Sequence, residues 1–340
     1  MRYFVTTLII ISCCIFYSCS NNQLEKVERL KVQVEILNPD LEIQYAGNFL
    51  VTHKCLVLQD PFRPSGVIKL LDTESGNEIF SFIDIGQGPQ EFVTPMFNSY
   101  FNNLLTIFDV NSLKKAQFDL DSLYEGKISI NPTRLYQNDI IYLIMLGDNE
   151  FVAGVMGNEN PFCFIQNDSS MYEFGNYPIQ EDITNAFNVF QGTILYNNER
   201  SIMGYATFHT PYLSLYEYKE KAFSLLWETR FAKAKYYISN HNLRWENNHV
   251  CGISGFAFTR DYIACMVKEM YDRDATGRSK ENMARAIYLY DYEGNLKKIL
   301  DIDLHSLRIS ADPESNLVYL VGLDDGWCLA KIDLQKYSND

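Results

Sequence analysis

Short apolar runs recur through most of the chain, separated by Gly, Asn and acidic residues. Runs of this length belong to strands, and no long stretch carries the 3.6-residue period of an amphipathic helix. A strand, turn, strand unit recurs six times: 67–72 with 78–82, 105–109 with 115–118, 162–168 with 171–174, 213–217 with 223–227, 286–291 with 296–300, and 318–322 with 327–332. The turns at 74–77 and 292–295 hold Gly and Asn, which accept the positive φ of tight hairpins. Further strands are expected over 48–58, 139–145 with 151–156, 201–208 and 255–267. An acidic residue stands at or near each turn, at Asp72, Asp109, Asp168, Glu217, Asp291 and Asp324. A spacing of about 50 residues with four short strands per repeat is the mark of a propeller blade. The expected fold is therefore all-β, a six-bladed β-propeller. Seven blades are the alternative, because the interval from Glu217 to Asp291 is wide and contains 232–250 and 272–285. Leu30, Val32, Val34 and Ile36 alternate with polar residues, so 27–36 is expected to complete the last blade and close the ring.

The N-terminus follows a different pattern. Arg2 precedes an apolar run from Tyr3 to Phe16 that is too short to cross a membrane, and small Ser18 stands directly before Cys19. This layout predicts a signal peptide over 1–18, a polar tether over 19–26 and the propeller over 27–336. Phe16-Tyr17-Ser18-Cys19 resembles the lipobox of bacterial lipoproteins, which implies export and lipidation at Cys19, hence a membrane partner through the N-terminal lipid.

Composition narrows the remaining choices. The formal net charge is −14, and cleavage after Ser18 would remove one basic residue, Arg2, and no acid. A surface of that sign repels nucleic-acid phosphates and anionic head groups, so no nucleic-acid partner is expected. Of eight cysteines, Cys13 and Cys14 lie in the signal and Cys19 takes the lipid. Cys55, Cys163, Cys251, Cys265 and Cys328 are far apart, show no CxxC spacing, and are expected to be buried single thiols. The histidines His53, His209, His241, His249 and His305 are scattered. His249 and Cys251 would share a strand face, but a metal centre needs three or four converging ligands, so no metal and no cofactor are expected. The carboxylate pairs Glu181-Asp182 and Asp324-Asp325 fall in turn-like sequence, where acids are solvated.

Gly86-Gln87-Gly88-Pro89-Gln90-Glu91-Phe92 is the most distinctive internal segment. No Lys-Ser/Thr follows and Pro89 opens no helix, so it is not a phosphate cradle. Placed after the first hairpin of a chain with Cys19, it resembles the Gly-x-Gly-Pro-x-Glu-Phe signature of Bacteroidetes lipoproteins with a TolB-like six-bladed propeller, the BF3164-like lipoprotein family. Gly255-Phe256 and the segment 287–295 fit the same pattern. The resemblance implies a propeller, an outer-membrane lipid anchor facing the periplasm or the cell surface, and no established activity. On physical grounds Gly86 and Gly88 permit backbone angles closed to other residues, Pro89 fixes φ, and Glu91 accepts hydrogen bonds from loop N–H groups. This makes the motif a structural turn between blades. Tyr236, Tyr237, Arg244 and Trp245 form a candidate ligand-binding loop, since aromatic faces stack on sugar rings, whereas Trp227 and Trp327 are expected in the core. Asp121-Ser122-Leu123 resembles the short Bacteroidetes O-glycosylation acceptor. No convergent catalytic set is visible. The expected role is a binding or scaffold module for a protein or glycan, the alternative an enzyme acting on a carbohydrate or lactone through a metal or carboxylates in the central channel.

Overall fold

The computed structural model describes residues 24, 27–135, 140–147, 149–157, 159–167, 169–246, 249–269, 280 and 283–337. The signal segment, Cys19 and Asp168 lie outside the described residues.

Two strands, β1 (Glu28–Val32) and β2 (Glu35–Asn38), precede four antiparallel four-stranded sheets. The first holds β3 (Phe49–Val51), β4 (Leu56–Gln59), β5 (Ile68–Leu71) and β6 (Glu78–Phe82); the second holds β7 (Tyr100–Phe101), β8 (Leu104–Asp109), β9 (Lys114–Asp119) and β10 (Thr133–Arg134). The third holds β11 (Ile140–Gly147), β12 (Glu150–Val155), β13 (Phe162–Gln166) and β14 (Ser169–Phe174); the fourth holds β15 (Gly192–Asn197), β16 (Ile202–Thr207), β17 (Tyr212–Lys219) and β18 (Ala222–Arg230). A separate hairpin, β19 (Tyr236–Ser239) with β20 (Asn242–Trp245), follows. The remaining strands are β21 (Ile253–Phe258), β22 (Ile263–Val267), β23 (Ala284–Tyr290), β24 (Leu296–Ala311), β25 (Leu317–Leu323) and β26 (Trp327–Asp333). They join with β1 and β2 in one eight-stranded sheet.

All six expected hairpins are present. Asp72 and Asp109 each pin their turn by accepting N–H groups two or three residues on, from Glu74 and Ser75 and from Asn111 and Ser112. Glu217 does not do this: it lies within β17, and the turn falls on Glu220 and Lys221, which adopt φ of 52° and 63°. The strand expected over 27–36 is broken in two, with β1 parallel to β24 and β2 antiparallel to β26.

The long strand β24 changes partners along its length. Leu296 and Lys298–Asp301 lie opposite β23, whereas Arg308–Ala311 lie opposite β25. The two flanks of the eight-stranded sheet thus share one continuous strand.

Each small sheet buries its faces against its neighbours. Between the third and fourth sheets the filling is aromatic, with Phe174 stacked on Phe223 at 4.3 Å and Phe162 edge-on to Tyr205 at 5.0 Å. Such pairs add about 0.5–1.5 kcal/mol each beyond the area they bury. A seam of exposed ion pairs accompanies β1 and β2: Arg29 with Asp301 and Glu269, Lys298 with Glu28, and Lys331 with Glu35. Exposed pairs contribute little, at most about 1 kcal/mol each. The seam is held by backbone pairing and by Val32 and Val34, buried against Leu300, Ile302 and Ile332.

Contacts between sheets show how they stand around an axis. The Val51 N–H donates to Ser310 Oγ at 2.9 Å and Arg308 Nε to the Gly47 carbonyl at 2.5 Å, so β3 and the second half of β24 run side by side in one direction. Asn48 Nδ2 donates to the Phe97 carbonyl, and the Met145 N–H to Ser99 Oγ, linking the next sheets round. The molecule is an all-β propeller.

Candidate functional site

The glycine motif lies on the connection from β6 to β7. The Gly88 N–H donates to Glu91 Oε2 at 2.8 Å, and Lys114 Nζ reaches the carbonyls of Gly88 and Glu91 at 2.7 and 2.9 Å. Phe92 is fully buried in the core between the first two sheets. Neither Gly86 nor Gly88 takes a left-handed backbone, contrary to the expectation from sequence. Glycine is required for space instead, because a Cβ at Gly86 would overlap the Glu91 carboxylate and one at Gly88 would come within 2.9 Å of it.

Tyr236, Tyr237, Arg244 and Trp245 lie on the β19–β20 hairpin rather than in a loop. Asn240 and His241, at φ of 50° and 57°, make its tight turn. The hairpin braces the segment before β15. The Thr184 N–H donates to the His241 carbonyl at 2.8 Å, Asn185 brackets Leu243 with two hydrogen bonds, and the Tyr236 hydroxyl donates to Glu181 at 2.7 Å. Trp245 faces Phe190 and stacks on His249. Tyr237 is 54% exposed. His249 and Cys251 do not share a strand: 249–252 is irregular, packed so closely that a Cβ at Gly252 would strike the Thr207 and Thr210 carbonyls. Cys55, Cys163, Cys251, Cys265 and Cys328 are all free and buried. Among the described residues no three His, Cys, Asp or Glu side chains stand where they could hold a metal.

Neither the glycine motif nor the hairpin residues line the main cavity. That cavity, of about 710 Å3, occupies the axis and is walled by β3, β7, β11, β15, β21 and the second half of β24. Because the lining strands run in a common direction, residues that precede them gather at one end and residues that follow them at the other. The first end carries Arg308, Asn48 and Asn98, with Tyr142, Tyr177 and Phe190 as an aromatic wall. Tyr142 donates to the Pro161 carbonyl at 3.0 Å and Tyr205 to the Phe190 carbonyl at 2.5 Å. The Tyr177 hydroxyl is buried without a hydrogen-bond partner among the described residues. Burial first, and then Glu173, pushes its pKa up to about 12.

The second end is acidic. Asn198 Nδ2 reaches the Tyr100 carbonyl at 3.2 Å, two sheets away, and so crosses the axis. Asn198 Oδ1 is also buried without a partner among the described residues. Tyr100 is pushed up to about 12 by burial and by the charges of Asp312, Glu314 and Glu199, which outweigh a hydrogen bond from the His53 backbone.

Arg308, Tyr177, Tyr142 and Asn198 were not candidates from sequence, since they come from four separate segments that no local motif connects. The visible signal was a cation, Arg308, inside the strand-like run Ile302–Ala311.

No family model and no curated protein matches the chain. Solved structures do. A member of the DUF4221 family from Bacteroides vulgatus superposes with a TM-score of 0.54 at 9% identity, over 89% of this chain and 96% of that one. A protein from Agrobacterium tumefaciens described as a calcium-binding protein, regucalcin, gives 0.52 at 8% identity, over 90% and 95%. At such identities the likeness concerns the propeller fold alone.

Proposed function

We propose that the protein is a binding module whose ligand occupies the axial cavity, carried on a six-bladed propeller and held at the outer membrane by lipid on Cys19. The six-blade count treats the two flanks of the eight-stranded sheet as separate blades, divided where β24 passes from β23 to β25. It is supported by the six strand segments that wall one cavity.

The observation that carries the reading is the cavity's chemistry. Its volume suits a small molecule or one or two sugar rings, and it combines an aromatic wall with polar groups toward its two ends, among them Arg308, Asn48, Asn98, Asn198 and Asp312. The Tyr177 hydroxyl and Asn198 Oδ1 are buried polar atoms without partners among the described residues, each costing about 1–3 kcal/mol until a partner is supplied. The hairpin carrying Tyr236, Tyr237, Arg244 and Trp245 supports the wall through Asn185 and Phe190 instead of meeting the ligand directly.

An enzymatic role has no supporting observation of comparable weight. Glu199 and Glu314 are exposed at the rim, and the Asp312 carboxylate is engaged by the Glu314 N–H.

Crystallographic fragment screening tests the reading. Bound fragments should concentrate in the axial cavity, along Tyr142, Tyr177 and Phe190. Fragments distributed over the outer surface, with none in the cavity, would overturn it. For the anchor, Cys19→Ala should move the protein from the membrane to the soluble fraction of fractionated cells; continued membrane association would sink that part of the proposal.

A further inference from the structure

Resting on the reading of the cavity as a ligand site, we propose that its ligand is a monocarboxylate, with the carboxylate seated on Arg308 and an apolar or aromatic body lying along Tyr142, Tyr177 and Phe190.

Arg308 is the only Lys or Arg among the described residues that line the cavity. Its Nε and Nη1 donate to the carbonyls of Gly47 and Leu307, at 2.5 and 3.2 Å, both of them backbone groups fixed in the walls. The guanidinium lies 6.0 Å from the Tyr45 ring centre. It has no carboxylate within ion-pair distance, although 12 other Lys, Arg and His side chains do, all among the described residues. Two neutral carbonyls orient the group without cancelling its charge. A guanidinium has five N–H donors, so donors remain for an incoming group.

Surrounding protein disfavours the charge, and burial pulls the Arg308 pKa down, with Tyr45 opposing. An anion brought into the cavity reverses that penalty in a place where water screens poorly. The planar fork of donors matches a carboxylate, and a single cation balances a single negative charge. A phosphate dianion fits less well, since Glu199, Asp312 and Glu314 surround the other end and the chain carries a net charge of −14. The same acids set the direction of binding: they repel the charged end of the ligand and leave it at Arg308. The neutral remainder then meets the aromatic wall.

The probes are 4-phenylbutyrate and its uncharged analogue 4-phenylbutyramide, titrated calorimetrically up to millimolar concentration against the full mature chain and its Arg308→Gln variant. The acid should bind the wild type at least tenfold more tightly than the amide, and R308Q should abolish that preference, weakening the acid far more than the amide. Equal affinities in the wild type, or a preference that survives R308Q, would overturn the carboxylate assignment and leave the cavity reading intact. Failure of both probes to bind would count against the cavity reading and this proposal together. Should R308Q not fold, wild-type crystals soaked with 4-phenylbutyrate decide. A carboxylate within hydrogen-bond distance of the guanidinium supports the assignment, and a phenyl ring there, with the carboxylate elsewhere, refutes it.

Discussion

Gly86 and Glu91 should behave as one energetic unit. A Cβ added at Gly86 would overlap the Glu91 carboxylate, and that carboxylate accepts the Gly88 N–H at 2.8 Å. Gly86 has no left-handed backbone, so alanine is permitted there conformationally and its cost comes from displacing the carboxylate. Glu91→Ala removes one charge-assisted hydrogen bond at a half-buried position, worth about 1–2 kcal/mol. Gly86→Ala expels the same carboxylate and should cost a similar amount, about 1–2 kcal/mol. Once Glu91 is truncated, however, the three atoms nearest the new methyl group are gone, and the second substitution should add only a few tenths of a kcal/mol. The double variant should therefore be roughly as stable as either single one, with a coupling of about 1 kcal/mol. Lys114 still clamps the carbonyls of Gly88 and Glu91 in every variant, so the damage stays local. Urea unfolding of the four proteins measures the cycle, and in thermal scans a loss of about 1 kcal/mol corresponds to roughly 2–3 °C at this size. Additivity of the two substitutions within about 0.5 kcal/mol would refute the steric account, as would a Glu91→Ala variant of unchanged stability.

Three further outcomes follow from the structure. The thiols of Cys55, Cys163, Cys251, Cys265 and Cys328 are buried, with Cys328 pushed up to about 11 by burial and by Asp324, so all five should resist a thiol reagent at pH 8 until denaturant is added; rapid labelling of the native protein would contradict this. Lys69 is 2% exposed and donates to Glu78 at 2.5 Å, so Glu78→Gln should cost about 2 kcal/mol at pH 7. Burial pushes the Glu78 carboxyl up, but hydrogen bonds from Lys69 and Ser81 and the charges of Lys69 and Arg63 outweigh it and hold the pKa below its ordinary value. The contribution is thus complete above the unfolded carboxylate value and is lost as pH falls through the folded one; the wild-type advantage over E78Q should shrink below about pH 4, and an advantage that grows on acidification would refute the assignment. Gly192→Ala would drive a methyl group into the Ala206 carbonyl on the neighbouring strand, so it should destabilise by about 3 kcal/mol or more, well beyond Gly86→Ala in the same unfolding assay.

Much of the architecture was legible because a short apolar run closed by turn residues is a local signal. The paired runs around Asp72, Asp109 and Asp291 state both strand and turn within a few residues. The two-residue strands β7 and β10 are too short to carry a period, and β15, with Gly192 at its start and polar groups facing the cavity, lacks a clean apolar face. The fusion of two sheets through β24 depends on which strands flank each half, and pairing partners are not written in the strand itself. The reason for Gly86 was also hidden, since a side chain five residues on creates the steric demand. The cavity was least legible of all: Arg308 and Gly47 lie 261 residues apart, and nothing local marks their meeting. The β19–β20 hairpin shows the opposite failure, where conspicuous aromatic residues in sequence turn out to buttress a wall.

The pairing of β2 with β26 joins Glu35 to Lys331 across almost the whole chain. Closing a loop of that length costs about 5 kcal/mol of chain entropy, which the pairing along the seam must offset. It also fixes how the molecule bears a mechanical load. A pull on the N-terminus runs along β1 and β2, parallel to their hydrogen-bonded ladders, and the bonds must fail together in shear instead of one at a time. The end of the chain that forms the latch is thereby the end best able to carry tension.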